Sequence, residues 1–384
     1  MENTHNLVAT TMFGLEPILT QELQKIGAKK IIQGNRSVSF QGDKRLIYLA
    51  NLKLRTALKI LKTIKIFKAY KEEDIYRNVS KIKWYKIFNV SKTFSISSTV
   101  NSKYFKHSKY VSLIIKDAIV DQFRKYKNKR PSINIKSPDI SIHIHISDYN
   151  CSISLNSSGH SLHKRGYRVG KFKAPINEVL AAGIVMLSNW DLKTKLLDPM
   201  CGSGTILIEA GLIAMNRAPN IYRDFFNFQK WKDYDNTLFE NIKTQLIKEE
   251  RVINSKIHGY DISSNAISVA RKNIAKMKLH HHIKINKEDF LQTQGEENII
   301  LIFNPPYGKR IDLRENYYKI IGDKLKQNYT NTYAWIISSE FKEIKQIGLK
   351  TTKKIKLFNG ALECKLLKYE LYQGSKKTNK PQNV

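Results

Sequence analysis

Leu196-Leu197-Asp198-Pro199-Met200-Cys201-Gly202-Ser203-Gly204-Thr205-Ile206-Leu207-Ile208-Glu209-Ala210 (LLDPMCGSGTILIEA) opens with an apolar run that ends in an acid. A turn with two glycines follows, and Ile206, Leu207, Ile208 and Ala210 begin an apolar run compatible with a helix. Strand, glycine turn, helix is the start of a nucleotide-binding α/β unit. The glycines let backbone approach a ligand, and the helix start offers it unpaired N–H groups.

Two common glycine loops fit badly. A P-loop requires Gly-Lys-Ser/Thr after its spacer, and no lysine follows these glycines. A dinucleotide fingerprint requires a third glycine at position 207, which is Leu. An acid at the strand end followed by a short Gly-x-Gly turn is the loop of S-adenosylmethionine-dependent methyltransferases, whose ligand carries a sulfonium and a carboxylate. A plain strand-turn-helix of any α/β protein is the other reading of this stretch alone.

Ile299–Phe303 is a second apolar run of strand length, and it ends in Asn304-Pro305-Pro306-Tyr307-Gly308. Two prolines forbid helix and central-strand pairing, so the loop is held stiff at a strand end, where open α/β sheets place their chemistry. A ring-conjugated exocyclic amine is a poor nucleophile because its lone pair is delocalised. The Asn304 amide oxygen and the Pro305 carbonyl are suited to accept its two N–H hydrogens, and Tyr307 to stack on the planar group. Pro306 stiffens the loop. Neither a strong base nor a metal is required.

The two motifs together are similar to those of class I amino-methyltransferases. With the features of the N-terminal part, the chain from Gly14 to about Leu371 resembles the THUMP-containing guanine-(2-amino) methyltransferases of bacterial large-subunit ribosomal RNA. The resemblance implies an α/β class I (Rossmann-like) methyltransferase domain preceded by ferredoxin-like and THUMP α+β domains. It implies S-adenosylmethionine as cofactor, held by Asp198, Pro199, Cys201, Gly202, Ser203, Gly204 and Thr205 of the glycine loop. Asp261, which ends Ile257-His258-Gly259-Tyr260-Asp261, suits the ribose hydroxyls, with Ile262 beside it. Asp289 would receive the adenine amine and Phe290 flank the ring, while Asn177 would wall the methionine end. Each acid also reads as a helix N-cap. Cys201 is expected as a loop constituent rather than a nucleophile.

The expected domains are a ferredoxin-like unit at 1–45, a THUMP RNA-binding domain at 46–157, a basic linker at 158–173, the methyltransferase domain at 174–372 and a disordered tail at 373–384. Pro175 is expected in the first turn of a helix. The aromatic-rich Pro219–Trp231 segment is expected to be packed. Asn359-Gly360 joins two strands of a closing hairpin.

Charge points to a polyanion partner. The 384 residues carry a formal net charge of +33, and residues 1–170 hold 31 Lys and Arg against 11 Asp and Glu. No apolar run approaches a membrane span, and no leader sequence is evident, so a cytoplasmic protein that engages no membrane is expected. Three widely spaced cysteines, Cys151, Cys201 and Cys364, fit a reducing compartment and no metal site. From Lys44 to Lys71 there are nine basic residues and no acid, and Leu54, Leu58, Leu61 and Ile64 recur at helical spacing. Arg55, Lys59 and Lys62 on the other faces are candidate phosphate contacts, as are Arg165 and Arg168, with Tyr167 to stack on a base. His280-His281-His282 reads as a solvated turn rather than a metal cluster.

These features lead to methyl transfer to the 2-amino group of a guanine in large-subunit ribosomal RNA, free or in a ribosome precursor, by a monomer. Transfer-RNA guanine, an adenine 6-amino group and a non-catalytic RNA-binding factor remain as alternatives. Several members of the family carry a second methyltransferase module after this one, and the chain stops at 384.

Overall fold

A computed structural model of the chain describes residues 4–169, 175–306 and 316–373. Tyr307, Gly308 and the expected tail from 374 lie outside them. The chain divides into two compact units. The first holds residues 1–12, 16–166 and 218–248; the second holds 13–15, 167–217 and 249–384.

The first unit begins β1 (His5–Thr10), α1 (Glu16–Lys25), β2 (Lys29–Gly34), β3 (Ser37–Gly42), α2 (Lys44–Lys53) and β4 (Lys59–Lys68). This βαββαβ order, with strands paired 2-3-1-4, is ferredoxin-like and closes only with α2 and β4, beyond the expected limit at residue 45. Asp43 starts α2 by accepting the Leu46 N–H at 2.7 Å. The buried Glu22 carboxylate receives the N–H groups of Arg55 (2.7 Å) and Thr56 (3.0 Å), fixing the turn after the helix. The leucine spacing from Leu54 to Ile64 predicts a helix, and here the structure differs. The ladders with β1 and with the later strand β7 (Asn150–Asn156) override a weak periodicity in a run rich in β-branched residues.

The chain continues through α3 (Glu72–Ser80), α4 (Trp84–Ile87), β5 (Phe94–Asn101), α5 (Ser108–Lys127) and β6 (Ile140–Ser147) to β7. Ile140, Ile142, Ile144 and Ile146 alternate inward along β6, as the period of two requires. All seven strands form one sheet, in the order β2-β3-β1-β4-β7-β6-β5.

The second unit holds α6 (Glu178–Leu187), β8 (Lys195–Asp198) and α7 (Thr205–Ala214). The chain then contributes α8 (Asn236–Lys248) to the first unit. Phe226 and Phe228 before that helix are buried against Tyr48 and Phe239, with the Tyr48 and Phe228 rings stacked at 4.5 Å. The aromatic segment is therefore packed, but into the first unit rather than the methyltransferase part. Back in the second unit follow β9 (Ile257–Asp261), α9 (Ser264–Lys276), β10 (Ile283–Lys287), β11 (Ile299–Phe303), α10 (Tyr317–Asn328), β12 (Thr332–Ser338), β13 (Thr351–Asn359) and β14 (Leu362–Leu371).

The second sheet runs β10-β9-β8-β11-β12-β14-β13, parallel except where β14 pairs antiparallel with β12 and β13. From β8 the chain steps outward through β9 to β10, then returns to the other side of β8 with β11. That reversal opens a crevice at the carboxyl ends of β8 and β11. Among the described residues, no helix is long and apolar enough to cross a membrane.

Candidate active site

Asp198, Asp261 and Asn304 come from three separate stretches, yet each sits at or just after the carboxyl end of a strand. The parallel register pairs Asp198 with Gly259 and Leu197 with Leu301, which brings these strand ends to one edge. The glycine loop is then fixed by its own backbone. Cys201 donates its N–H to the Tyr260 carbonyl at 2.8 Å, and Gly204 donates to the Cys201 carbonyl at 2.8 Å. Gly202 and Gly204 both have positive φ, 53° and 77°, the left-handed region that favours glycine. Gly259 has no room for a side chain, since a Cβ there would lie 2.3 Å from Leu207 Cδ1.

Asp261 binds the loop from the neighbouring strand. Its Oδ2 accepts the Gly202 N–H at 2.8 Å and its Oδ1 accepts the Ser263 N–H at 2.9 Å. The cap of α9 is Ser263, so Asp261 keeps an edge position rather than serving as that cap. Ile262 beside it is 68% exposed, an apolar side chain held outward next to the acid. Asp198 is fully buried. Burial, together with the charge of Asp261, holds its carboxyl well above the ordinary range, against the opposing pull of the Met200 N–H at 3.2 Å. A buried acid in that condition is a place for a cationic ligand group.

Ser203 is clamped by its carbonyl, which accepts the Asn273 Nδ2 at 3.0 Å, and Thr205 begins α7. Pro199 lies in the turn between β8 and the glycines. The Cys201 thiol is pushed well up, by burial first and then by Asp198 and Asp261, so it is no thiolate nucleophile. Asn304 and Pro306 are half-buried and Pro305 is buried, directly after β11. Tyr307 lies outside the described residues.

Three residues expected at the cofactor have local roles in the fold. Asn177 is the N-cap of α6: its side chain accepts the Val179 N–H at 2.9 Å, and its own N–H donates to Asn359 Oδ1 at 3.3 Å. Pro175 accordingly precedes the cap and does not sit in the first turn. Asp289 caps a short 3-10 turn through the Leu291 N–H at 3.0 Å, as the N-cap reading has it. Phe290 is buried among Phe303, Tyr329 and Leu301, so it backs the site from the core and does not line it.

One residue at this edge was missed. Tyr317 at the start of α10 is half-buried, and its hydroxyl lies 3.6 Å from Met200 Sδ. Burial, then the nearby charges of Asp289 and Asp261, push its phenol up to about 12. It therefore stands beside both acids as a neutral hydroxyl. Its only sequence signal is an aromatic pair, Tyr317-Tyr318.

The expected RNA contacts in the first unit turn inward. Arg165 is 1% exposed and donates to the carbonyls of Arg55 (2.7 Å) and Leu162 (3.3 Å). Arg55 is itself buried. Lys59 is half-buried, with its ammonium pushed below the ordinary value by burial. Lys62 reaches Asp233 at 3.6 Å. In the second unit Tyr167 is buried with its hydroxyl 3.2 Å from Glu209, and Arg168 is paired to Glu178 at 2.5 Å. The basic run is a set of struts, because a guanidinium that satisfies buried carbonyls cannot also face a phosphate. Arg223 completes it, donating to the carbonyls of Ser158, His160, Ser161 and Lys164 at 2.7–3.2 Å. Among the described residues no group of His, Cys, Asp and Glu is placed to hold a metal.

A class I α/β fold with an acid-Gly-x-Gly loop, an acid on the next strand and Asn-Pro-Pro on the fourth defines a methyltransferase domain. The chain belongs to the UPF0020 family (RMKL-like, methyltransferase domain), whose model matches residues 165–368. A THUMP domain matches residues 69–156 and an RlmL ferredoxin-like domain residues 6–61. The chain is 38% identical, over 96% of its length and 97% of the relative's, to slr0064 of Synechocystis, a protein assigned as an RNA methyltransferase. It is 34% identical to the ribosomal RNA large subunit methyltransferase K/L of Syntrophotalea carbinolica over 94% of its own length, spanning 53% of that protein. It is 29% identical to SMU.472, a methyltransferase by assignment solved in complex with SAH, at a TM-score of 0.86, covering 98% of this chain and all of that one.

S-adenosylmethionine is the cofactor of this family, and the residues present fit it. A buried acid suits its positive charge, the left-handed glycines set a tight turn between β8 and α7, and Asp261 with the exposed Ile262 suits a ribose and an adenine face.

Proposed function

We propose that this protein transfers a methyl group from S-adenosylmethionine to the exocyclic 2-amino group of a guanine in large-subunit ribosomal RNA. The observation that carries the reading is Asn304-Pro305-Pro306 at the end of β11, beside the β8 and β9 ends that bear Asp198 and Asp261. The Asn304 amide oxygen and the Pro305 carbonyl accept the two hydrogens of the amine, and Tyr307 stacks on the base. The cofactor supplies the methyl group. The target guanine must be unpaired or flipped, since an amine inside a duplex cannot reach the donor. Support for ribosomal RNA comes from the THUMP domain, the net charge of +33 and the K/L relatives.

The test is transfer of labelled methyl from S-adenosylmethionine to size-fractionated RNA from cells lacking the protein, with the product nucleoside identified. Methylation at the guanine 2-amino group of large-subunit RNA is the expected result. Label confined to transfer RNA, or on adenine, would replace the substrate in this reading.

A further inference from the structure

The His280–His282 run, which the methyl-transfer site does not use, forms one wall of a groove of about 1040 Å³ in the second unit. The other walls are the 253–258 segment, one face of α9 and the start of β10. Its floor is apolar, made by the buried Ile257, Ile274 and Ile283. Its rim carries Lys256 and Lys284 as well as the histidines, with Arg271, one guanidinium nitrogen of which donates to the Ile285 carbonyl at 3.4 Å while the others stay exposed, and its lining contains no Asp or Glu. The acid whose charge acts on His258 is Glu296, and that carboxylate is already bound by Lys195 Nζ at 2.6 Å. Burial and neighbouring basic groups push the His258 and His282 imidazoles below their ordinary value, so the groove's positive charge does not depend on these two. The groove starts at Ile257, whereas Asp261 ends the same strand, about 13 Å away at the usual rise per residue.

Lysines on an edge strand such as β10 protect against edge-to-edge pairing, and Lys284 alone would need no other explanation. Edge protection does not account for Lys256 and Arg271 converging from two other elements, nor for the hollow between them. We propose that this groove is a contact for the RNA backbone, holding consecutive phosphates of the substrate strand on the flank of the methyltransferase unit, at the opposite end of β9 from the transfer site. The inference rests on the RNA reading above and adds to it where the strand runs. A groove at the upper end of the ~300–1,000 Å³ typical of ligand sites, open along its length, suits a tracking chain better than an enclosed small molecule. Its cations meet phosphates, which are alike in every nucleotide, so it is expected to bind without regard to sequence.

The test compares the full chain with K256E/K284E, and with K353E/K354E as a control on exposed residues of β13 at the other sheet edge. Binding of fluorescein-labelled transcripts of large-subunit RNA is measured across a salt series, with S-adenosylmethionine affinity as the check on folding. The groove variant is expected to lose about tenfold or more in affinity and about 2 in the slope of log K against log salt, and the control much less. If the reversal unfolds the chain, K256Q/K284Q carries the same comparison with a smaller loss. Equal effects from groove and control, or an unchanged slope, would overturn the groove. A groove-dependent affinity in a chain that methylates no guanine would leave the groove standing and remove the substrate reading. Guanine methylation with groove-independent binding would do the reverse.

Discussion

Asp198–Thr205 and Ser158–Arg168 are both glycine-punctuated runs rich in polar groups, and from the sequence both read as binding strips. Only the first folds into the strand, glycine turn and helix that its sequence describes. In the glycine loop the contacts are made by backbone, through Cys201, Gly202 and Gly204, and the dihedrals that make them are restricted to few residue types. In the basic run the same kind of sequence is consumed internally. Arg165 binds two carbonyls, and Arg223, from 59–65 residues downstream, binds four in the run. A motif built on backbone constraint survives into the fold as written, whereas the direction of a long cationic side chain is decided by neighbours distant in sequence.

The strongest way to break this contrast is Asn304→Ala, at the strand end with the same kind of constraint. Methyl transfer to RNA should fall at least about 100-fold, the cost of deleting one preorganised hydrogen-bonding group, while RNA affinity stays as in the parent chain. Turnover near the parent value would mean that the amine is held by something other than Asn304.

Arg165→Met probes the other region. Removing a buried guanidinium leaves the carbonyls of Arg55 and Leu162 without their donor, and the unfolding free energy should drop by about 2–4 kcal/mol. The salt dependence of RNA binding should not change, because no phosphate contact is lost. Denaturant titration and binding across a salt series read the two quantities separately. A slope reduced by about 1 with stability intact would restore Arg165 as a phosphate contact.

The same physical distinction sets what could be read in advance. Asp198 and Asn304 were legible because an acid or amide that directly follows an apolar run marks a strand's carboxyl end, where parallel sheets place ligands. Tyr317 was not, since its position depends on where α10 begins and on how β11 is ordered beside β8. The Leu54–Ile64 spacing matched a helix by count, yet from Lys59 onward the chain finds β1 and β7 to pair with. Local periodicity lost to the ladder. Phe290 shows the limit from the other side, for its chain position beside Asp289 says nothing about which way its ring turns, and the core with Phe303 and Tyr329 takes it.

The smallest expected effect tests whether Asp198 is tuned for a cation or merely buried. Its folded-state carboxyl is raised, by burial first and by Asp261 as well. A raised carboxyl contributes stability that is fully present below the unfolded pKa and is lost as pH rises through the folded value. At neutral pH the ligand-free fold therefore bears a cost at this residue, which a positive ligand would offset. Affinity for S-adenosylmethionine should accordingly rise with pH up to the folded pKa of Asp198, by at most about tenfold per pH unit, and level off above it. Asp198→Asn should flatten that dependence, weaken cofactor binding and raise the thermal stability of the ligand-free chain at neutral pH. The two changes have opposite signs because one carboxylate serves the bound state at the expense of the empty one. Calorimetric titration between about pH 5 and 8, with thermal melts of both chains, measures each. If Asp198→Asn left the chain less stable and the pH profile unaltered, the buried acid would be a structural partner of the loop. The glycine loop would then resemble the basic run more closely than its sequence suggests.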